Sequence, residues 1–369
     1  MIAVLLAPLS WLLLEEMTSD QRNLNDAALS PNQTMVATAH GSGSGVKYQI
    51  RIWDARDGSN LRTIGLDRGP VWVVSWSPDG EYVAFGDHDG TLTVLETRGW
   101  QVKRKFERQS GMLRKIVWAH GSNRLATGDE YGALRVWDLD SGRLQYTARP
   151  HTGNIADLSW SPDDQYIATA SWDQTAVISD SKSGELVYRL EGHSAYVTCV
   201  AWSSDGKAIA TGSSSEPNLL LWRMEGGSSP VAAIGHRLAV EKIEWSPALP
   251  LLASASKDDT VRVWDETGTL IHVFEMRGSG SPDLMWSGDG SLLAAANDES
   301  VSIWDFATDQ LRHRFVAHDD DYDIQILGWS PDRRRLTTRG SWDDTVKVWD
   351  ISEGKAVAKM HVGLIEDWF

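Results

Sequence analysis

Residues 240–276 read VEKIEWSPALPLLASASKDDTVRVWDETGTLIHVFEM. The runs VEKIEW, LLASAS, TVRVWD and LIHVFE alternate apolar with polar side chains or are rich in β-formers, and SPALP, KDD and ETG between them have turn composition. Four short strands in so short a stretch leave no room for a helix. A small sheet of this kind cannot bury both of its faces alone, so it must stack on neighbours of the same build.

Moving outward from this stretch, the same pattern recurs along the chain. Trp-Asp or a degenerate form of it falls at Trp53, Leu95, Trp137, Ser179, Trp222, Trp264, Trp304 and Trp349, with successive spacings of 42, 42, 42, 43, 42, 40 and 45. A second series about 20 residues upstream of each runs Leu29, Trp76, Trp118, Trp160, Trp202, Trp245, Trp286 and Trp329, most of them followed by Ser-Pro or Ser-x-Asp. The two series account for 13 of the 19 Trp and define eight units. Radial closure of such units hides strand edges that would otherwise pair with other chains. Composition agrees with a sizeable core, since 41% of the residues are apolar.

The turn residues, the Ser-x-Asp runs, TVRVWD and the Gly192-His193 and Gly235-His236 dipeptides resemble the WD40 repeat over residues 21–362. The resemblance implies an all-β propeller with strand a innermost and strand d outermost, of eight four-stranded blades. Seven is the alternative if the first unit fails to form one. That unit has Leu29 for Trp and carries a Gly-Ser-Gly-Ser-Gly insertion at Gly41–Gly45. The resemblance also implies a hydrogen-bonded tetrad of His, Ser or Thr, Asp and Trp in each well-formed unit. His236, Ser256, Asp258 and Trp264 match it in the sixth unit, and His318, Ser341, Asp343 and Trp349 in the eighth. The fourth unit has His151, Ser171 and Asp173, with Ser179 where Trp belongs. Outside a repeat, His, Ser and Asp together would suggest a catalytic triad. Here the trio recurs with a Trp partner, which gives it a turn-bracing role. No catalytic residue, metal site or cofactor motif is expected.

Residues that break the repeat at an exposed edge are the candidates for binding. Trp172 and Trp342 stand in the turns between strands b and c of the fourth and eighth units, and Trp72 and Tyr196 lie near the start of strand a in theirs. These positions are expected on the upper rim, with Trp172 and Trp342 facing one another across the channel. Asp320 and Asp321, in an acidic loop on the same face, would complete an aromatic and acidic docking surface. With 35 basic against 51 acidic residues and a net charge of −16, the chain is a poor match for nucleic acid and would draw in a basic partner. The expected function is therefore a non-enzymatic scaffold for a protein or peptide with a basic segment. Two alternatives stay open: a sensor module of a larger signalling protein, and a propeller enzyme working through its channel.

Outside the repeats lie residues 1–20 and the tail 363–369. Ile2–Leu14 is a run of 13 uncharged, mostly apolar residues, short of the roughly 20 a membrane helix needs. No basic residue precedes it, as a secretory signal would require. A packed extension, a signal-like segment or the seam of a longer chain are the readings it allows. Membrane association is not expected. The single Cys, Cys199, excludes a disulfide framework and points to the cytoplasm.

Overall fold

The computed structural model describes residues 24–41, 48–66, 69–106, 108–109, 111–121, 123–224, 230–232, 235–276, 278, 280–318, 323–341 and 343–361. All 32 elements among them are strands, grouped into eight four-stranded antiparallel sheets. Each sheet is a blade built from consecutive strands a to d, so no strand is borrowed from another part of the chain. The first unit forms a complete blade, and the ring has eight.

The inner strands are Leu24–Leu29, Val71–Trp76, Leu113–Trp118, Ile155–Trp160, Val197–Trp202, Val240–Trp245, Asp283–Trp286 and Ile324–Trp329. In the second and fifth blades strand b is apolar, small or Gly along nearly its whole length (YVAFGD, AIATGS) and lies buried on both faces. The outer strands of blades 1 and 3, Asn60–Gly65 and Arg143–Ala148, are largely polar and exposed. The core is distributed between blades. Ala168, Ile178 and Leu190 of blade 4, for example, pack with Val200, Trp202 and Trp222 of blade 5.

The Trp that ends strand a performs one task at six of the interfaces. Its indole N–H donates to a strand-a carbonyl of the preceding blade: Trp76 to Ala28, Trp118 to Ser75, Trp160 to Val117, Trp245 to Ala201, Trp286 to Glu244 and Trp329 to Met285, at 3.0–3.4 Å. At these six interfaces a bulky ring fills the gap while its one polar atom is satisfied; the indole N–H of Trp202, between blades 4 and 5, is buried with no hydrogen-bond partner among the described residues.

Blade 1 has Leu29 at this position, so the seam between blades 8 and 1 is closed differently. Leu29 packs so near Gly328 that a Cβ there would lie 2.7 Å from the leucine Cδ2. The Leu24 N–H donates to Asp344 (3.2 Å), Arg339 lies 3.8 Å from Asp26, and Leu24, Val36 and Trp53 share a core with Val346, Val348 and Met360. The ring closes by side-chain packing and a few polar contacts. The expected boundaries at 1–20 and 363–369 lie outside the described residues.

Candidate functional site: the upper rim and the channel

One rim of the ring gathers the turns between strands b and c together with the loops that enter strand a. Backbone hydrogen bonds tie the two: His88 N–H to Pro70, Glu130 to Met112, Trp172 to Asn154, Ser214 to Tyr196, Lys257 to Ala239 and Ser341 to Asp323, at 2.9–3.2 Å. Asx and glycine geometry tightens the turns themselves. Gly132, for instance, sits at φ +78°, where a Cβ would meet the His151 carbonyl oxygen at 2.4 Å.

Beneath this rim lie the tetrads. In blade 6, His236 Nδ1 is 3.1 Å from Asp258, its Nε2 is 2.7 Å from Ser254 Oγ, and Trp264 Nε1 donates to the same hydroxyl at 2.8 Å. In blade 8, His318 bridges Asp343 (2.8 Å) and Thr338 (2.9 Å), and Trp349 donates to Thr338 (2.9 Å). The hydroxyl member is therefore Ser254, not Ser256, and Thr338, not Ser341; in blade 4 it is Thr169, not Ser171. Strand register gives the reason. Trp264 lies directly opposite Leu252, and Trp349 opposite Leu336, so the nearest hydroxyl on that face is two residues on. Ser256 is four residues from Leu252, about 13 Å along the strand and beyond the indole's reach. It instead donates to the Leu238 carbonyl and accepts the Asp258 N–H, while Ser341 donates to Asp323.

Burial alone would raise the Asp343 carboxyl. The hydrogen bonds from His318 and Thr345, together with the nearby Lys347 ammonium, outweigh it and hold the group at about 2. Asp173 and Asp258 are held low in the same way.

Sequence reading missed the variants of blades 3 and 5. Blade 3 uses Gln109 in place of His, accepting from Thr127 and Arg135, and Arg135 pairs with Asp129 at 2.7 Å. Blade 5 retains His193 but hands its Nδ1 to the Pro217 carbonyl at 2.8 Å. In blade 4, Ser179 in the Trp position has a buried Oγ with no hydrogen-bond partner among the described residues.

Two of the expected rim aromatics come together. Trp172 of blade 4 and Tyr196 of blade 5 stack at 5.5 Å with 23° between their planes. They remain 45% and 53% exposed, so the pair stands above the interface between two blades. Tyr131 in the corresponding turn of blade 3 and Leu238 in the loop entering blade 6 are also exposed, extending an apolar arc over blades 3 to 6. Neither was singled out by its sequence, although Tyr131 follows strand b as Trp172 does. Trp72 is half-buried and tilted against His88 at 6.5 Å, with its indole N–H enclosed. Trp342, Asp320 and Asp321 lie outside the described residues, as does the expected pairing of Trp172 with Trp342.

The channel between the inner strands encloses about 500 Å³ and is lined by polar groups, among them Ser75, Lys115, Asp157, Glu241, Lys242 and Asp283. Its carboxylates are used in construction. Asp157 pairs with Lys115 (3.0 Å) and accepts the Val200 N–H of the next blade, and Asp283 faces Lys242 (3.8 Å) and accepts the Ile326 N–H. Asp26 accepts the Val74 N–H in the same manner, and Glu244 the Trp286 N–H at 2.8 Å. Burial pushes the Glu244 carboxyl up to about 7. Among the described residues no three His, Cys, Asp or Glu side chains are placed to hold a metal ion.

Eight contiguous blades, the indole–carbonyl ladder and the His–hydroxyl–Trp braces define a WD-repeat propeller. The chain belongs to the WD40-repeat β-propeller family: the family model described as the IFT122 first beta-propeller matches residues 154–364, and the WD domain, G-beta repeat matches residues 58–94. Protein Rae1 of Drosophila melanogaster is 36% identical over 120 residues, covering 30% of this chain and 34% of that protein. The poly(A)+ RNA export protein of Schizosaccharomyces pombe is 32% identical over 133 residues, 34% of this chain and 36% of that one. The matched stretch thus spans about a third of each relative. Among solved structures, Chaetomium thermophilum Sqt1, bound to the N-terminus of the ribosomal protein L10, superposes with a TM-score of 0.75 at 18% identity, over 88% of this chain and 96% of that one. The computationally designed Ika8 protein gives 0.75 at 21% identity, over 90% and 97%. Both likenesses are of fold.

Proposed function

We propose that this protein is a binding scaffold that receives a protein or peptide segment on its upper rim, over blades 3 to 6. The observation that carries the reading is the exposed Trp172–Tyr196 stack, a preassembled aromatic platform on a rigid frame. Aromatic anchors held in place before binding lose little side-chain entropy and dominate interface energetics. Tyr131 and Leu238 supply apolar flanks on either side. A propeller of the same shape, Sqt1, was solved with the N-terminus of another protein, which supports a peptide as the occupant. The net charge of −16 favours a segment carrying Lys or Arg, steered toward the ring by long-range attraction. The channel carboxylates Asp157 and Asp283 are occupied in bracing neighbouring blades, which favours a scaffold over a catalyst.

The test compares partners captured by the wild type with those captured by a Trp172→Ala, Tyr196→Ala variant of matched thermal stability. Both substitutions fall on exposed side chains, so the ring is expected to stay folded. Partners retained by the wild type and lost by the variant, and recovered by a synthetic peptide from the partner, support the rim. Equal capture by both would move the site elsewhere.

A further inference from the structure

In the turns between strands b and c under the apolar arc, most carboxylates are spent on the ring itself. Glu130 accepts the Met112 N–H, Asp173 and Asp258 hold His151 and His236, and Asp259 accepts from the Asn297 amide. Blade 5 departs from this pattern. Blades 4 and 6 place Asp 22 residues beyond the histidine, and blade 5 has Ser215 there. The bracing passes to main-chain oxygens: His193 Nδ1 lies 2.8 Å from the Pro217 carbonyl, and the Ser194 hydroxyl donates to the Glu216 carbonyl. The one carboxylate of this turn, on Glu216, is therefore unspent. It is exposed, with no hydrogen-bond or ion-pair partner among the described residues. It also stands beside the aromatic pair, because the Ser214 N–H donates to the Tyr196 carbonyl at 3.0 Å and ties the turn to the loop that carries Tyr196. Trp172 covers one side of the Tyr196 ring at 5.5 Å, and Tyr196 stays 53% exposed.

We infer that the segment received on the rim, a reading on which this step rests, is anchored by an arginine whose guanidinium lies on the open surface of the Trp172–Tyr196 pair and pairs with the Glu216 carboxylate. Glu216 is then the residue that sets specificity. An aromatic face attracts a cation through its quadrupole, and a neighbouring carboxylate without a counter-charge adds to that attraction. A segment that covered Glu216 without bringing a cation would bury an unpaired charge, which is costly. Apolar and acidic anchors are thereby disfavoured. Between the two basic side chains the geometry selects arginine. Its planar guanidinium stacks on a ring and keeps its edge donors free for both oxygens of a carboxylate, whereas the lysine ammonium is a strongly hydrated point charge. The departure of blade 5 from the His–Asp brace thus frees a carboxylate at the one place where two exposed aromatic rings meet.

Ligand-observed saturation-transfer NMR on the full chain tests this, with N-acetyl-arginine methylamide and N-acetyl-lysine methylamide as probes. The wild type should bind the arginine probe more tightly than the lysine probe. Glu216→Gln should weaken the arginine probe by about fivefold and bring the two probes close together, with an unchanged unfolding transition. Tyr196→Ala should weaken both. Glu353→Gln, in the turn between strands c and d of blade 8 on the opposite face, should change neither. A wild type that binds neither probe, equal binding of the two, or an arginine affinity indifferent to Glu216→Gln would overturn the inference. The rim itself is judged separately by partner capture. Partners lost by the Trp172→Ala, Tyr196→Ala variant but kept in full by Glu216→Gln would leave the rim standing and remove the arginine anchor. Partners kept by the aromatic variant would remove the rim, whatever the probes do.

Discussion

Ser254→Ala and Ser256→Ala remove hydroxyls from two buried serines on the same strand, yet their costs should differ. Ser254 Oγ is the shared partner of His236 Nε2 and Trp264 Nε1, two buried nitrogens with no other hydrogen-bond partner among the described residues. Its loss should destabilise the fold by about 2 kcal/mol, and that of Ser256, whose partners lie at the rim, by about half as much. Thermal or denaturant unfolding of the two variants checks the order. Glu244 makes a different test. Its carboxyl, with an ordinary value of 4.5, is raised to about 7 by burial, against the pull of the Trp286 N–H and the Lys242 ammonium. The folded chain therefore holds this proton more tightly than the unfolded one, and the contribution to stability falls as pH climbs through that window. Glu244→Gln keeps an oxygen for the Trp286 N–H and removes the titration. It should gain about 2 kcal/mol over the wild type at roughly pH 8 and show little difference at low pH.

At the level of strands, the interfaces around the ring are not equal. Strand a of blades 2 to 8 ends in Trp, and six of those seven indoles bond to the blade before. Strand a of blade 1 ends in Leu29, whose side chain has no N–H to give. Local opening should therefore begin at the seam between blades 8 and 1. Hydrogen exchange should find the amides of Leu24–Leu29 less protected than those of Ile155–Trp160. Equal protection would mean that the Asp26, Arg339 and Leu24 contacts make up the difference. Strands were also what the sequence disclosed most readily. The alternation of VEKIEW and TVRVWD gave both element and orientation, because period and composition agreed. The tetrad hydroxyls were not legible in the same way. Ser256 and Ser341 sit at the spacing a linear motif suggests, but the bond is chosen by cross-strand register, which fixes Leu252 opposite Trp264. Register follows from turn geometry and packing, and a single chain of letters carries it only indirectly.

For the whole molecule, two Trp series with near-constant spacing were enough to read eight blades, the weak first one included. The rim was legible in part. Trp172 stood out because it breaks the repeat, but its stacking on Tyr196 depends on the angle between blades 4 and 5, and Tyr131 and Leu238 look ordinary until the ring brings them to one side. A last consequence follows from the blades' being contiguous in the chain. Every hydrogen-bonded sheet is finished within one uninterrupted stretch of sequence, and only the packing between blades 8 and 1 awaits the end. During synthesis each blade can complete its ladder as it leaves the ribosome and dock on the one made before it. No early strand waits, edge bare, for a partner still to be translated, and closing the circle is a matter of fit between two finished surfaces.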